Sequence, residues 1–339
     1  MGSTRSLLFK ILLPVALGLG VVVWMFLREF DAGAWQAVDL GPLGIAAIAA
    51  AIAAMCAREA CLACRFRVLS DGRLSWMAAL RVTMLCEFTS AITPTTAGGS
   101  AMSMVFLKRE GIDLGRGTTM MLTTLFLDEL FNVVLCPVIF LMAPYAAIFG
   151  FNGGFSSGVR ISFWIVIGLI TAITIVLFWG TLGRPEAVRA IIRKIFSWRL
   201  LRRWRERAMA SADEMVTAGR EFRTRPASWW LRAFGATAGV WIARFLVVNA
   251  LFWGFVAGAD QVIVFARQFV VWTLLTVSPT PGGSGLSEWL FTNYYGDMIH
   301  DPSVALVIAV FWRLITYYSL LAIGAIMLPG YLRKKSNRK

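Results

Sequence analysis

Apolar runs that alternate with short basic segments dominate this sequence. Because a helix needs about 20 apolar residues to cross a bilayer, we expect six full crossings, at about 11–27, 43–60, 118–142, 161–182, 229–256 and 303–328. Two further apolar stretches, about 76–107 and 262–297, are interrupted by proline and glycine. They predict helical hairpins that are either re-entrant from one side or built from broken helices. The pattern therefore predicts an all-α polytopic membrane protein.

The two interruptions resemble each other. One runs Pro94-Thr95-Thr96-Ala97-Gly98-Gly99-Ser100, and the other runs Pro279-Thr280-Pro281-Gly282-Gly283-Ser284. An arginine precedes each, Arg81 and Arg267, and a charged stretch of membrane helix follows each, Asp128-Glu129 and Arg313. Irregular backbone at membrane depth needs protein or a water-filled cavity to satisfy its polar groups. Two matching breaks therefore predict an internal repeat with a polar site between its halves.

Basic residues predict the orientation of the chain. Under the hairpin interpretation, one face collects Arg5, Lys10, Arg58, Arg65, Arg67, Arg73, Lys108, Arg109, Arg116, the segment 184–225, and the basic residues from Arg333 to Lys339. The opposite loops hold only Arg28 and Arg160 as basic residues. The positive-inside rule makes the first face cytoplasmic, with both termini on it, in a cytoplasmic (inner) membrane. The halves 1–145 and 160–328 are then inverted in topology, with one hairpin entering from each side.

Two basic segments lie outside the membrane in this interpretation. The segment 184–225 places apolar residues close to a helical period with Arg and Lys between them, which predicts an amphipathic cytoplasmic helix or helix pair. It is either a solvated linker or a helix lying on anionic headgroups. Residues 329–339 are expected to form a basic cytoplasmic tail.

Composition agrees with a membrane protein and excludes several other classes. The 339 residues are 58% hydrophobic and 15% charged, and the mean hydropathy is +0.70. Positive-inside topology explains the net charge of +14 without a nucleic-acid partner. The sequence has no P-loop, and its single histidine, His300, lies in a predicted outer loop. We therefore expect no enzyme activity, no cofactor and no metal site.

Charged residues inside apolar segments are the candidate site residues. A charge at the bilayer centre costs roughly 2.5–3.5 kcal/mol even on lenient scales, so such residues face the protein interior or water. Arg232 is set aside because it lies near a helix end and can reach the interface. Ion pairing that only fixes the fold is the alternative role for the rest. The set comprises Arg81, Glu87, Asp128, Glu129, Arg244, Arg267, Glu288 and Arg313.

The repeated motif itself predicts an anion site. Proline ends the incoming half-helix, the glycines turn with positive φ, and Ser100 or Ser284 caps the outgoing half-helix. The N-terminus of that half-helix presents free N–H groups, which suit a phosphate. Arginines can bind the same phosphate, and the carboxylates can meet a cationic headgroup or exchange protons. The motif residues assigned to this site are Thr95, Gly98, Gly99, Ser100, Thr280, Gly282, Gly283 and Ser284.

The chain resembles the flippase-like transmembrane domain of lysylphosphatidylglycerol synthases over about 10–330. The resemblance rests on Ile92–Ser100 followed by Phe106–Gly111, on Asp128-Glu129, and on Ser278–Gly285 followed by Glu288. It implies that these stretches line a substrate path and that membrane lipids are the partners. The implied activity is movement of a lipid headgroup between leaflets. The aminoacyltransferase domain of the multidomain members does not follow within this sequence, so a separate lipid-modifying enzyme is a further expected partner.

The sequence leaves other functions open. A proton- or sodium-coupled carrier of a small anion would use the same charges, and a non-transporting membrane protein could present lipid to an enzyme. A membrane-embedded transferase lacks an evident nucleophile and base. The substrate, the energy source, the direction of transport and assembly as a homo-oligomer are not fixed by these patterns.

Overall fold

The computed structural model describes residues 41–92, 96–150, 154–179, 185–195, 205–278, 283, 286–299 and 302–333. Regular structure within these ranges is entirely helical. The helices, in chain order, are α1 Pro42–Leu69, α2 Trp76–Ile92, α3 Thr96–Arg109, α4 Leu114–Met142, α5 Tyr145–Phe149, α6 Gly154–Leu177, α7 Pro185–Ile195, α8 Arg205–Arg223, α9 Ala227–Phe255, α10 Gln261–Leu275, α11 Leu286–Tyr294, α12 Pro302–Arg313 and, after a π-helical turn at Leu314–Tyr318, α13 Ser319–Arg333.

Five helical segments among the described residues are long and apolar enough to cross a membrane: α1, α4, α6, α9 and the α12–α13 segment. They confirm the prediction of an all-α polytopic membrane protein. The predicted crossing at 11–27 lies outside the described residues. The predicted end of the crossing at 43–60 is wrong, because α1 continues to Leu69. Helix α13 continues through Pro329 to Arg333, and the basic cytoplasmic tail at 329–339 stays a prediction.

Residues 42–142 and 227–333 have the same order of elements: a long helix, two short helices and a second long segment. We call α2 and α3 the first hairpin, and α10 and α11 the second hairpin. Arg81 Nη1 donates to Glu110 Oε1 at 3.1 Å across the base of the first hairpin. Arg267 Nη2 donates to Asp297 Oδ2 at 2.6 Å at the base of the second. These pairs span 29 and 30 residues, so an arginine–carboxylate bridge closes each hairpin at a matching position.

The hairpin bases lie toward opposite ends of α4. At the start of α4, Arg116 Nη2 donates to Asp71 Oδ2 at 2.5 Å, and Asp71 lies between α1 and the first hairpin. Beyond the other end of α4, the Ala147 carbonyl accepts from Arg267 Nη2 at 2.9 Å. We call these the proximal and distal ends. The inverted repeat and the re-entrant character of the hairpins stay predictions.

The two long helices α1 and α9 pack closely through small residues. A Cβ built on Gly254 of α9 would lie 2.2 Å from the Ala47 Cβ of α1, and one on Gly239 would lie 2.7 Å from Cys61 Sγ. Small residues at such contacts let helix backbones approach, which is how membrane helices gain packing energy in the absence of a hydrophobic driving force. The first long helix of residues 42–142 is thereby held against the first long helix of residues 227–333.

The two motifs differ in local structure. α3 begins at Thr96, so Gly98, Gly99 and Ser100 lie inside the helix. The prediction that these glycines form the turn and that Ser100 caps the helix is therefore wrong. Two helical glycines cost only about 1 kcal/mol each relative to alanine, so the helix can resume soon after Pro94. In the second motif, Gly283 does adopt a positive φ of 72°.

The basic segment after α6 contains the two helices α7 and α8. Arg220 Nη2 donates to Glu186 Oε1 at 2.7 Å, and Arg189 pairs with Asp213 at 2.6 Å. The Arg220 hydrogen bond holds the pKa of the exposed Glu186 carboxyl below its usual value. α8 packs against α4, with Phe222 fully buried. Phe222 lies 5.2 Å from Trp229 between ring centroids, and the Trp229 indole donates to Asp71, so α8 is attached near the proximal end.

Candidate functional site

A cluster of six charged side chains lies where helices of both halves meet. We call it the central cluster. Its members are Arg58, Glu59 and Arg65 of α1, Glu87 of α2, Asp128 of α4 and Arg244 of α9. All six positions lie within helices at least 17 residues long, away from the helix ends. The cost of burying these charges is therefore met by mutual pairing in the bundle interior.

One arm of the central cluster is centred on Glu87. Arg58, 1% exposed, donates from Nη2 to Glu87 Oε2 at 2.7 Å and from Nη1 to the neighbouring Glu59. Arg244 Nη2 lies 3.7 Å from the same Glu87 oxygen. The Arg244 guanidinium also stacks over Trp272 of the second hairpin, 4.3 Å from the ring centroid. This arm joins α1, α9 and one helix of each hairpin.

The other arm is centred on Asp128. Its Oδ1 accepts from Arg65 Nη1 at 2.6 Å and from the Trp241 indole at 2.8 Å. Arg65 Nη1 also lies 3.3 Å from Thr237 Oγ1. Trp241 connects the two arms, because the Arg244 guanidinium lies 5.0 Å from its ring centroid. The same aromatic residue thus donates to a carboxylate and contacts a cation, as its indole edge and face allow.

The central cluster is balanced in formal charge. Its three arginines face three carboxylates, so the group as a whole is neutral. Breaking one partner of a buried pair leaves an uncompensated charge, which costs far more than the pair itself contributes. Such a group can, however, exchange partners with a ligand that brings both signs of charge. The side chains of Glu87 and Asp128 are 24% and 21% exposed, whereas that of Arg58 is 2% exposed. Glu87 and Asp128 are therefore the most accessible members, whereas the Glu59 side chain is only 9% exposed.

Sequence reasoning finds half of the central cluster. Glu87, Asp128 and Arg244 are among the predicted site residues. The prediction that Arg58 and Arg65 belong to the cytoplasmic face is wrong, because both are buried within α1. A usable signal is their seven-residue spacing, which places both on one face of a helix. The prediction misses it by ending the crossing at 43–60 before Arg65.

The remaining predicted charges lie elsewhere. Arg81 bridges to Glu110 at the proximal base of the first hairpin, with its side chain 38% exposed. Arg313, 3% exposed, stacks over Tyr317 beside the π-helical turn, 4.2 Å from the ring centroid. Glu129 is buried on α4 and hydrogen-bonds Asn132. Glu288 lies in α11. Thr95, Thr280, Gly282 and Ser284 lie outside the described residues.

Arg267 forms a clamp at the distal end. Nε and Nη2 donate to the Ala147 carbonyl at 3.1 and 2.9 Å, and Nη1 donates to the Tyr294 carbonyl at 2.7 Å. Both terminal nitrogens also pair with the Asp297 carboxylate. The guanidinium thus ties the second hairpin to α5 through a fork of donors, a geometry that lysine cannot reproduce.

We expect Arg267→Lys to destabilise the protein by about 1–2 kcal/mol, because the charge remains but several charge-assisted hydrogen bonds are lost. Thermal unfolding of the detergent-solubilised variant measures this. Arg81→Lys is the matched control at the more exposed bridge and should change stability by less than about 1 kcal/mol. Equal losses in the two variants would contradict the clamp.

A lateral cleft of about 710 Å³ opens beside the central cluster. Its walls come from α1, α2 and the segment from Leu314 to Ile323 that includes the π-helical turn. Among the described residues that line it, Glu59 carries the only charge, and the rest of the wall is almost wholly apolar. Rim residues are exposed, Met77 by 69% and Ile52 by 49%. Two of the three wall segments, α1 and the one in the α12–α13 segment, belong to helices long and apolar enough to cross a membrane.

Comparison with known proteins is consistent with this architecture. A UPF0104 membrane protein of Archaeoglobus fulgidus is 25% identical over 279 residues, covering 78% of this chain and 80% of the archaeal protein. No solved structure matches the chain. The family described as lysylphosphatidylglycerol synthase TM region matches residues 11–324. The match covers most of the sequence, including every helix of the central cluster, and the chain therefore belongs to this family of membrane proteins.

Proposed function

We propose that this protein is a lipid flippase or scramblase, which moves a phosphate-containing lipid headgroup between membrane leaflets. The observation that carries the proposal is the central cluster, in which Arg58, Glu87 and Arg244 join both halves of the bundle inside the membrane. The family connection to lysylphosphatidylglycerol synthases supports a lipid-related role. Phospholipids, aminoacyl-phospholipids and polyprenyl-phosphate-linked lipids all belong to the substrate class considered.

In the proposed mechanism, the headgroup exchanges for one partner of an existing ion pair. The phosphate binds Arg244, whose separation of 3.7 Å from Glu87 is the longest in the cluster and whose displacement costs least. Trp241 and Trp272 keep the guanidinium oriented by stacking while its partner changes. The acyl chains stay in an apolar environment throughout, so only the headgroup needs a polar one.

We also propose that the proximal end faces the cytoplasm. The described basic helices α7 and α8 attach near this end, as does the arginine pair that contacts Asp71. The positive-inside rule then orients the chain in the cytoplasmic membrane. The first hairpin would reach the cluster from the cytoplasmic side, and the second would reach it from the outer side.

Arg244→Gln is expected to slow leaflet exchange of fluorescent phospholipids in proteoliposomes by at least about tenfold, the loss of one hydrogen bond to a charged group. Arg232→Gln is the matched control, because Arg232 lies on the same helix with its side chain exposed. Exchange is measured with and without a proton gradient. Unchanged exchange in Arg244→Gln would remove Arg244 from the path. Absence of exchange of every lipid by the unmodified protein would overturn the proposed function.

A further inference from the structure

The lateral cleft has the dimensions and wall of a binding site for hydrocarbon. Its volume of about 710 Å³ falls within the roughly 300–1,000 Å³ of established ligand pockets. Met55, Met84 and Leu320 line it and are each less than 10% exposed, so they lie behind the rim. Methionine side chains adapt to irregular apolar shapes. A lipid chain entering from the bilayer would bury apolar surface against these residues without crossing a polar barrier.

Glu59 gives this apolar site one polar anchor. Its Oε1 accepts from Arg58, whereas Oε2 is buried and accepts no hydrogen bond from any described residue. The residue is 7% exposed and lines the cleft. A buried acceptor without a partner is destabilising, so a donor on a bound ligand would recover that cost. The cleft therefore selects a ligand with a hydrocarbon chain and a nearby N–H or O–H group.

The neighbouring residue, Arg58, has an unsatisfied hydrogen-bond donor. Arg58 Nε is buried and donates to no acceptor among the described residues. One unfilled donor and one unfilled acceptor thus lie on adjacent residues of α1. An ammonium group can donate to the acceptor, Glu59 Oε2, while the phosphate binds Arg244 as in the proposed mechanism.

Charge balance favours the same ligand. The central cluster pairs three arginines with three carboxylates, so a purely anionic headgroup would leave a net negative charge buried with it. A zwitterionic headgroup preserves neutrality, because its phosphate and ammonium groups cancel. Uncompensated charge is expensive at this depth.

We propose that the lateral cleft binds one hydrocarbon chain of a zwitterionic phospholipid, with the headgroup ammonium donating to Glu59 Oε2. The inference rests on the proposed function, since it identifies the lipid that the central cluster handles. It also specifies the route by which the tail stays in contact with the protein while the headgroup is inside the bundle.

Photo-crosslinking tests this site in proteoliposomes of the full chain. The probe is a phosphatidylethanolamine with a diazirine in its acyl chain, and labelled residues are mapped by mass spectrometry. We expect labelling of Met55, Met84 and Leu320. Unlabelled phosphatidylethanolamine should compete for this labelling at least about tenfold better than phosphatidic acid, the advantage of one charge-assisted hydrogen bond. Labelling of the exposed Ile326, which is 80% accessible, should respond equally to both competitors.

Two variants test the polar contact at Glu59 and the apolar lining of the cleft separately. Glu59→Gln should remove the preference for phosphatidylethanolamine, whereas Glu186→Gln on the exposed face of α7 should retain it. Ser319→Trp fills the cleft without altering the charges, and it should abolish labelling of the three buried residues even if Glu59→Gln does not fold. Equal competition by the two lipids in the unmodified protein would overturn the proposal, as would labelling confined to exposed positions.

Leaflet exchange in the same liposomes distinguishes this inference from the proposed function. Exchange without labelling of the cleft would overturn the cleft site and leave the flippase proposal standing. Labelling of the cleft without exchange of any lipid would overturn the flippase proposal and leave the cleft site standing.

Discussion

Replacing Arg58 by methionine is expected to lower the stability of the protein by about 3–5 kcal/mol and to abolish leaflet exchange. Methionine fills a similar volume but removes the donors that bind Glu59 and Glu87. Both carboxylates would then remain buried with little compensation, and such breakage of a buried pair is strongly destabilising. Unfolding in detergent measures the stability, and fluorescent lipid exchange measures the activity.

A double variant separates the loss of the Arg58–Glu87 ion pair from the effect of the changed side-chain shape. Adding Glu87→Gln to Arg58→Met removes one of the stranded charges, so part of the lost stability should return while exchange stays absent. The coupling energy of the pair should exceed about 1 kcal/mol in a double-mutant cycle. Strictly additive losses would show that Arg58 and Glu87 do not depend on each other.

The second large effect is expected at Gly254, where α9 crosses α1. Gly254→Ala places a methyl group 2.2 Å from the Ala47 Cβ and 3.2 Å from the Leu43 carbonyl. The helices must separate to admit it, at a cost of about 1–3 kcal/mol, even though alanine is the better helix former by about 1 kcal/mol. The midpoint of thermal unfolding should fall accordingly.

Two controls accompany this change. Gly235 lies on the same helix, and a Cβ added there would meet no atom of a neighbouring described helix within 4 Å, so Gly235→Ala should leave stability unchanged or raise it. Ala47→Gly removes the clashing methyl group on α1 and should restore much of the stability of Gly254→Ala. If Gly235→Ala and Gly254→Ala behave alike, close packing of α1 and α9 does not decide the stability of the bundle.

The membrane helices are predictable because hydrophobicity is a local property of the sequence. The five crossings in the described chain follow from apolar runs alone. The end of α1 is not predictable in this way. Arg58 and Arg65 interrupt the apolar run, and their partners on α2 and α4 lie 29 and 63 residues further along the chain, outside the local pattern.

The candidate site is predictable in part for the same reason. Glu87, Asp128 and Arg244 stand out because each is a charge inside an apolar segment. Their pairing depends on contacts between residues far apart in sequence, such as Arg65 with Asp128, 63 residues away. For Arg267 the sequence indicates function, whereas its contacts with Ala147 and Asp297 depend on how the second hairpin packs against α5.

Asp71 has a consequence for the order in which the chain can mature during synthesis. Its carboxylate accepts from Arg116, from Arg225 and from the Trp229 indole, which lie 45, 154 and 158 residues further along the chain. Asp71 and Arg116 leave the ribosome well before Arg225 and Trp229 have been synthesised. The proximal end therefore closes only after α9 has begun to emerge, and a nascent chain arrested before that point should remain open to proteolysis there.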